Sequence, residues 1–546
     1  MSALDWVIVL ALNGAVIAYG MFLARGTRTS SDWFLGGRAL PWWAIGMSMF
    51  ATNVDSADIV AVTGSTYNEG LHIVTVYAIG SAVGGVLAAF LVTPTIYRQG
   101  FYTNAEYLEA RFGPSVRLIS AVIQLQYRSS MLGLMIVSMH LLLTRLVQLD
   151  NALAWMLIVL AVLFSGAYTA AGGLRSVVFT DALQGVVMLI GGAVIFVTVF
   201  QAVGGWESLT EKLREVGRED MLHVGRYRGA SGRLSPLVVV MGWSIIGAGY
   251  WTVNHTQTMR LMGARSVWDM KLAASFGVLV SLPIMVACAC LGVLGRAIPA
   301  YANLENADEL YPLMANEYLE SGFKGVVVAG VVAACVSTFD SMGSALSAVF
   351  TRDIYARFIR RDASDSHYVL VGRVATVGVL TLGFLYLPFI FMQENMLKAF
   401  TTLIPVLVTP LFTIYLLGVA TRVHRASGLV GLIVGSIYGF LALIDRDFYD
   451  IDVLPFWFSE RWAALGWSVL LTSIAVGVTT WLLGPLPRGA VMKFRETGWL
   501  ERSREALPKI CEYPEGAQSR FAKSMPATLA VFLLLVSVVT VFVIFW

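Results

Sequence analysis

The sequence predicts an all-α polytopic membrane protein with about 14 transmembrane helices. Three observations predict this class: 57% of the 546 residues are hydrophobic, only 13% are charged, and long apolar runs recur along the whole chain. A soluble protein carries about 25% charged residues, whereas each membrane helix needs about 20 mostly apolar residues. The composition therefore excludes an ordinary soluble enzyme and a disordered chain.

Fourteen apolar runs, each bounded by Pro, Gly or charged residues, are the predicted spans. In chain order they are 5–24, 42–66, 71–97, 117–148, 153–171, 177–203, 236–262, 270–298, 323–351, 368–391, 399–421, 427–444, 464–484 and 526–546. We expect 5–24 to remain as the first span, because it has neither the basic start nor the small-residue cleavage site of a signal peptide. The longer connections, about 204–235, 299–322 and 485–525, fit no separate soluble domain. We therefore expect 1–546 to form a single transmembrane domain.

The positive charges predict the orientation of the chain. Of the 38 Lys and Arg residues, 24 lie on one side of the predicted spans, and an excess of Lys and Arg marks the cytoplasmic side. An even number of spans then places both termini outside the cell, in a multi-pass protein of the plasma (cell inner) membrane. The net charge of +3 is too small to indicate a nucleic-acid partner. The lipid bilayer is the predicted environment, and we infer no obligate protein partner.

Among the ionisable residues of the predicted spans, five stand out at membrane depth: Asp55, Asp58, Arg128, Asp181 and Asp340. A charge at the centre of a membrane helix costs at least about 2.5 kcal/mol, so it needs a partner, water or a function. These residues are therefore candidates for ion and solute binding. Structural alternatives remain open, since the first three could neutralise one another and Asp181 could cap a helix.

Two spans carry polar patterns that suit a cation. The second span has the polar centre TNVDSAD at 52–58, which predicts a discontinuous helix with free carbonyl groups, or else a straight helix with its polar face inside a bundle. In the ninth span, Ser337, Asp340, Ser341 and Ser344 share one helix face, and Thr338 lies beside them. Hydroxyl and carboxylate oxygens suit a hard monovalent cation, although small residues also permit close helix packing.

Six segments carry a family resemblance. They are SDWFLGGRALPWW (31–43), GFYTNAEYLEARFG (100–113), AAGGLRSVVFTDALQG (170–185), YWTVNHTQTMR (250–260), ELYPLMANEYLESGFKG (309–325) and CVSTFDSMGSALSAVFTRDIY (335–355). Together they resemble the sodium/solute symporter family, which includes the sodium/glucose cotransporters. The resemblance implies an inverted five-plus-five repeat of the leucine-transporter (LeuT) type. The two repeats would be 42–203 and 236–421, with 5–24 as an extra first helix and 422–546 as additional C-terminal helices.

The resemblance also implies two cation sites. The sodium ligands would be the carbonyl groups of Ala51, Val54 and Ala334 and the hydroxyl groups of Ser337 and Thr338. Some members have a second cation site, which here would comprise Asp181, Asp340 and Ser341. Asp340 stands where those members have Ser or Thr, so the number of sodium ions and the participation of protons stay open.

The solute site is expected between the two discontinuous spans. Its candidate residues are Asn53, Asp55, Asp58, Tyr77, Arg128, Trp251, Asn254 and His255. Arg128 could bind a carboxylate in bidentate fashion. In sugar-transporting relatives the position of Asp58 is usually an amide and that of Tyr77 can be a glutamate, so this resemblance does not imply a hexose.

These features predict a sodium-coupled secondary active symporter that moves a small polar organic solute into the cell by alternating access. The solute would be a sugar, a polyol or a related compound, and Na⁺ would be the coupling ion. The alternatives on the same fold are a sensor of sodium or solute occupancy and a proton-coupled transporter. An enzyme is not expected, because the sequence has no catalytic motif such as HExxH and no phosphate-binding glycine loop.

Overall fold

The computed structural model describes residues 1–25, 29–229, 231–393, 396–449, 453–487 and 497–546. The membrane helices among them, in chain order, are α1 (Ala3–Ala24), α2 (Trp42–Asn53), α3 (Ser56–Glu69), α4 (Leu71–Arg98), α5 (Pro114–Leu146), α6 (Asn151–Val203), α7 (Pro236–Val253), α8 (His255–Met262), α9 (Val267–Arg296), α10 (Phe323–Ile359), α11 (Asp365–Phe391), α12 (Met396–Ala420), α13 (Ser427–Arg446), α14 (Arg461–Leu483) and α15 (Arg520–Ile544). Within the described ranges, 12 helices are long and apolar enough to cross a membrane. The remaining three, α2, α3 and α8, are shorter pieces of broken spans.

The 14 predicted crossings follow from these helices. At 53 residues, α6 is about 80 Å long, far more than the roughly 30 Å of hydrocarbon in a bilayer. Gly173 interrupts it with φ 64° and ψ −170°, so α6 provides two crossings. A Cβ atom at Gly173 would lie 2.7 Å from the carbonyl oxygen of Trp33, which leaves glycine as the residue that fits. The pair α2 and α3 adds one further crossing.

Two spans are broken in their middle, as the LeuT-type fold requires. The first is interrupted at Val54 and Asp55, between α2 and α3, and the second at Asn254, between α7 and α8. The polar segment 52–58 therefore forms a discontinuous helix and not the straight alternative. The division into repeats at 42–203 and 236–421 stays a prediction.

Small residues bring the helices around the first break close together. A Cβ atom at Gly277 of α9 would lie 2.9 Å from the carbonyl oxygen of Gly46 in α2. A Cβ atom at Gly330 of α10 would lie 3.6 Å from the Cα of Gly191 in α6. Close approach of this kind is the usual means of helix association in membranes, and it holds α2, α6, α9 and α10 around the polar centre of the molecule.

The connection between α4 and α5 contains a short helix, Asn104–Phe112, that belongs to a buried charge cluster. Glu106 accepts a bond of 2.7 Å from Arg352, and Arg117 lies 2.8 Å from Asp353. Burial opposes ionisation of Glu106, but Arg352 and Arg117 dominate and lower its pKa to about 2. The cluster ties this connection to the end of α10.

Several helix ends differ from the predicted spans. The last helix begins at Arg520 and not at 526, because the Ser519 hydroxyl caps it by accepting a bond of 3.1 Å from the backbone N–H of Ala522.

Four basic residues that enter the predicted charge distribution, Arg28, Arg488, Lys493 and Arg495, lie outside the described residues.

Candidate ion and solute site

The first break leaves backbone carbonyl groups of α2 free of helical bonds. Val54 has φ −107° and ψ 90°, which ends the helix, and the Asp55 carboxylate begins α3 by accepting a bond of 2.8 Å from the backbone N–H of Asp58. A helix end has up to four carbonyl groups without an intrahelical partner. Here Thr52 O accepts a bond of 3.2 Å from the hydroxyl of Tyr250, so the break is held by side chains from the other half of the molecule.

Four of the five predicted sodium ligands meet in one hydrogen-bonded cluster. The Ser337 hydroxyl donates to the carbonyl oxygen of Ala51 at 2.9 Å and to that of Ala334 at 3.1 Å. The Thr338 hydroxyl also donates to Ala334 O, at 3.1 Å. All four residues are buried, and Val54 lies at the adjacent break. The cluster joins α2 to α10 through neutral hydroxyl and carbonyl oxygens, the ligand type that a hard cation prefers.

The predicted second cation site is arranged differently from the expectation. Asp181 and Ser341 meet, since the Ser341 hydroxyl donates to Asp181 Oδ2 at 3.1 Å. The guanidinium of Arg260 occupies the same cluster, with Nη2 3.0 Å from Asp181 Oδ2. Asp181 therefore has a cationic partner, and it lies inside α6 beyond the kink, not at a helix N-terminus.

Asp340 lies apart from that cluster. Its Oδ1 accepts a bond of 2.9 Å from the hydroxyl of Thr169 and a second bond from the hydroxyl of Ser165. Both residues belong to the first half of α6, whereas Asp181 belongs to the second half. The other carboxylate oxygen, Oδ2, is buried and has no hydrogen-bond partner among the described residues. The structure thus splits the three predicted residues into two separate polar clusters.

A cavity with about 80 Å³ of water-accessible volume lies beside the break, room for several water molecules. Five predicted solute residues line it: Asn53, Asp55, Asp58, Tyr77 and Arg128. The Tyr77 hydroxyl donates to Asp58 Oδ1 at 2.8 Å. The cavity therefore combines carboxylate, amide, phenol and guanidinium groups on a mainly apolar wall.

Arg128 does not neutralise the two acids of the cavity directly. No ion pair joins its guanidinium to Asp55 or Asp58 in the described part of the chain, and its Nε is buried without a hydrogen-bond partner there. The guanidinium lies 5.7 Å from the ring centroids of both Tyr127 and Tyr250. A hydrogen-bond donor is therefore left available at the cavity wall.

Three predicted solute residues, Trp251, Asn254 and His255, lie outside the lining of this cavity. Trp251 is fully buried in the core. Asn254 caps α8 by accepting a bond of 3.0 Å from the N–H of Thr256, and His255 faces a small separate space beside Gln124. These side chains support the second break, so their predicted contact with solute has no geometric support.

The cavity also includes residues that the sequence reasoning missed. From α7 come Trp243 and Ile246, and from α12 come Met396, Leu397 and Phe400. The helical period could have identified the α7 residues, because Trp243 and Ile246 lie seven and four residues before Tyr250 and so share its helix face. Nothing in the local sequence marks the α12 residues, because they reach the cavity only through the packing of α12 against the first break.

Comparisons with known proteins agree with this architecture. The model of the sodium:solute symporter family matches residues 33–435. The sodium/glucose cotransporter of Vibrio parahaemolyticus is 29% identical over 471 residues, which cover 80% of this chain and 84% of that protein. The sodium/myo-inositol cotransporter 2 of Rattus norvegicus is 27% identical over 482 residues, which cover 81% of this chain and 70% of that protein.

Two solved structures share the fold. A Na⁺-coupled sialic acid symporter in a substrate-bound outward-open state has a TM-score of 0.76 at 21% identity, covering 89% of this chain and 99% of that one. The nucleobase-cation-symport-1 family transporter Mhp1 has a TM-score of 0.55 at 13% identity, covering 88% and 100%. Because the family model spans most of the chain, this protein belongs to the sodium:solute symporter family, a family of sodium-coupled transporters of small solutes and not of enzymes.

Proposed function

We propose that this protein uses the sodium gradient to take up a small polyhydroxylated solute, such as a sugar, a polyol or a related compound, by alternating access. One observation carries the proposal: the first break contributes to both sites. Ala51 is bonded to the hydroxyl of Ser337, while Asn53 and Asp55, two and four residues further on, line the cavity. Ion and solute would therefore bind to the same short segment between α2 and α3.

The cluster around Ser337 supports a sodium site. Its proposed ligands are the carbonyl oxygens of Ala51, Val54 and Ala334 and the hydroxyl oxygens of Ser337 and Thr338. Each hydroxyl oxygen that now donates a hydrogen bond keeps lone pairs for an ion. Since none of the five ligands is charged, the ion would be held without the strong attraction that would prevent its release.

The chemistry of the cavity supports a solute with several hydroxyl groups. A hydroxyl group both donates and accepts. The cavity offers acceptors on Asp55 and Asp58, and donors on Asn53 Nδ2 and Arg128 Nε that have no partner among the described residues. The rings of Tyr77, Trp243 and Tyr250 supply apolar faces on which the carbon skeleton of such a solute can pack. The glucose and myo-inositol named for the relatives are solutes of this kind.

Coupling would follow from the shared segment. Sodium that enters from outside is driven by its concentration gradient and by about 2.3 kcal/mol per charge for each 100 mV of membrane potential. By ordering Val54 and the carbonyl groups beside it, the ion would complete the cavity wall, and bound solute would in turn favour the ion, since such coupling is reciprocal. In this proposal the connections rich in Lys and Arg face the cytoplasm, and both termini lie on the outer side of the plasma membrane.

Uptake of labelled solute into proteoliposomes tests the proposal. The purified chain should accumulate glucose, myo-inositol or sialic acid only under an inward sodium gradient, and an inside-negative potential should increase the rate. Accumulation driven by a proton gradient without sodium would instead support the proton-coupled alternative. Solute binding without any flux would support the sensor.

A further inference from the structure

His72 lies at the start of α4, directly after the turn that ends α3, and its side chain is fully buried. Its two ring nitrogens have different partners. Nδ1 lies 3.0 Å from Nε1 of Trp243 in α7, and Nε2 lies 3.1 Å from Oε2 of Glu69. Because an indole nitrogen only donates, Nδ1 accepts the bond from Trp243. These partners assign a neutral ring with its proton on Nε2, which donates to the carboxylate.

The orientation of the His72 ring is fixed by its neighbours. The ring of Tyr227, from the 204–235 connection, stacks on it with centroids 3.8 Å apart and planes 4° apart. The Tyr227 hydroxyl donates to Glu69 Oε2 at 2.7 Å, so it holds the same carboxylate oxygen. Trp462 of α14 lies 5.9 Å from the His72 ring, nearly perpendicular to it. A flipped imidazole would present carbon atoms to both polar partners, so one orientation satisfies the cluster.

The ionisable groups around His72 come from α3, the 204–235 connection, α9 and α14, because α7 and the first turns of α4 have none. In chain order they are Glu69, His223, Arg226, Tyr227, Arg228, Arg296, Glu460 and Arg461. Of these, Glu69 and Tyr227 contact the imidazole, while Arg296 is bonded to a tyrosine hydroxyl of α3. The side chain of Glu69 is 29% exposed, so the buried imidazole has a partner that reaches the solution.

The bond to His72 places the indole of Trp243 in the wall of the solute cavity. Trp243 lines that cavity together with Ile73, the residue after His72, and its ring also packs on Trp462 with centroids 4.5 Å apart. A proton on Nδ1 of His72 would change the acceptor into a donor and set two N–H groups against each other. The imidazolium would still be paired with Glu69, but the indole N–H would have lost its acceptor. The cavity wall therefore depends on the protonation of His72.

We propose that His72 is a positioning residue for solute binding: the neutral imidazole holds the indole of Trp243 in the cavity wall, and a proton taken up from the outer solution releases the indole and lowers the affinity for solute. The inference rests on the proposed function, because it takes the cavity as the solute site and the Glu69 end of α3 as the outer side. Solute binding should in turn oppose protonation of His72, since such coupling is reciprocal.

The expected effect is large enough to measure. A buried donor left without an acceptor disfavours the state that contains it by roughly 5- to 150-fold. Histidine is the side chain whose charge ordinarily changes between about pH 5 and 8. The KM for solute should therefore rise by at least about fivefold when the external pH is lowered from about 8 to about 5.

Sodium-driven initial uptake of labelled glucose, myo-inositol and sialic acid into proteoliposomes, as a function of external pH, tests the inference. In His72→Asn the amide oxygen can accept the bond from Trp243 near the place of Nδ1 and cannot take up a proton there, so KM should vary little with pH. Trp243→Phe removes the N–H group and should also lose the pH dependence, although it retains His72.

His140→Gln is the matched control. His140 lies at the same membrane face, stacks on Trp155 with centroids 4.6 Å apart, and has Nε2 2.7 Å from Asn151 Oδ1, but it is not part of the cavity wall. This variant should keep the pH dependence of the unmodified protein. Any pH dependence that the carboxyl groups of the cavity contribute is common to all these proteins. Full pH dependence in His72→Asn or Trp243→Phe would overturn the inference, as would its loss in His140→Gln.

A second measurement depends neither on transport nor on the folding of a variant. In nuclear magnetic resonance of the unmodified protein, labelled with ¹⁵N at histidine and tryptophan, Nδ1 of His72 should carry no proton at high pH and gain one in acid. The indole N–H signal of Trp243 should shift with the same midpoint. An indole signal that ignores the protonation of His72 would overturn the inference even where uptake is found. Coupled shifts without any uptake would support the role of His72 and contradict the proposed function.

Discussion

Replacement of Ser337 by alanine is the most direct test of the sodium site. The hydroxyl group of Ser337 joins α10 to α2 through its 2.9 Å bond to the carbonyl oxygen of Ala51, and it is the proposed side-chain ligand that contacts α2. A bond to a charged group contributes about 1.5–3 kcal/mol, and the neutral hydrogen bond lost from the ion-free protein contributes about 1 kcal/mol. The difference, about 0.5–2 kcal/mol, is the expected loss of sodium affinity.

In Ser337→Ala, the sodium concentration for half-maximal uptake should therefore rise by roughly 2- to 30-fold. The assay is initial uptake in proteoliposomes as a function of external sodium, at saturating solute. Ser347→Ala is the matched control, since Ser347 is a buried hydroxyl of the same helix that donates to the carbonyl group of Ser344 at 2.8 Å, about 15 Å further along. Equal sodium activation curves for the two variants would refute the assignment of Ser337.

Three further predictions follow from the described contacts. Thr338→Ala should raise the sodium requirement in the same assay without lowering the amount of folded protein; an unchanged activation curve would exclude Thr338 as a ligand. Asp58→Asn keeps an acceptor for the Tyr77 hydroxyl at 2.8 Å but removes a charge from the cavity, so competition assays should show altered solute selectivity with little change in sodium activation; the reverse result would move Asp58 to the ion site. Burial raises the pKa of Asp308 to about 6, although its bond from the Met396 N–H opposes the shift. Because the fold favours the protonated form, the contribution of this carboxyl group to the free energy of unfolding is fully present below about pH 4. That contribution is lost as the pH rises through about 6, and the loss reaches up to about 3 kcal/mol at pH 7. Thermal unfolding between pH 4 and 7.5 should show this loss in the unmodified protein and not in Asp308→Asn, and parallel profiles would disprove it.

The first break shows how far sequence reasoning reaches. The polar residues of segment 52–58 predict an interrupted helix, and the structure has the interruption at Val54 and Asp55. This prediction succeeds because the cause is local: a run of polar residues makes a poor membrane helix whatever surrounds it. The polar face of the ninth predicted span is likewise visible in the sequence, since the i, i+4 spacing puts Ser337 and Ser341 on one helix face, with Thr338 beside them.

The split of the predicted second cation site shows where that reasoning ends. Asp340 and Ser341 are adjacent, so they point about 100° apart around the axis of α10. Ser341 consequently meets Asp181 in the second half of α6, while Asp340 meets Thr169 in the first half. Which half of a kinked helix faces which side of its neighbour depends on how the helices pack, and no local pattern encodes it.

The amino-acid sequence by itself determined the membrane class, the number of crossings and the break in the second span. Each of these follows from apolar length, helical period or polar composition within one segment. Only the tertiary structure decided that Arg260, 79 residues from Asp181 and 212 from Ser48, is the partner of both side chains. The physical reason is that a charge buried in a bilayer must find its partner across helices, and the partner is selected by packing in space and not by position along the chain.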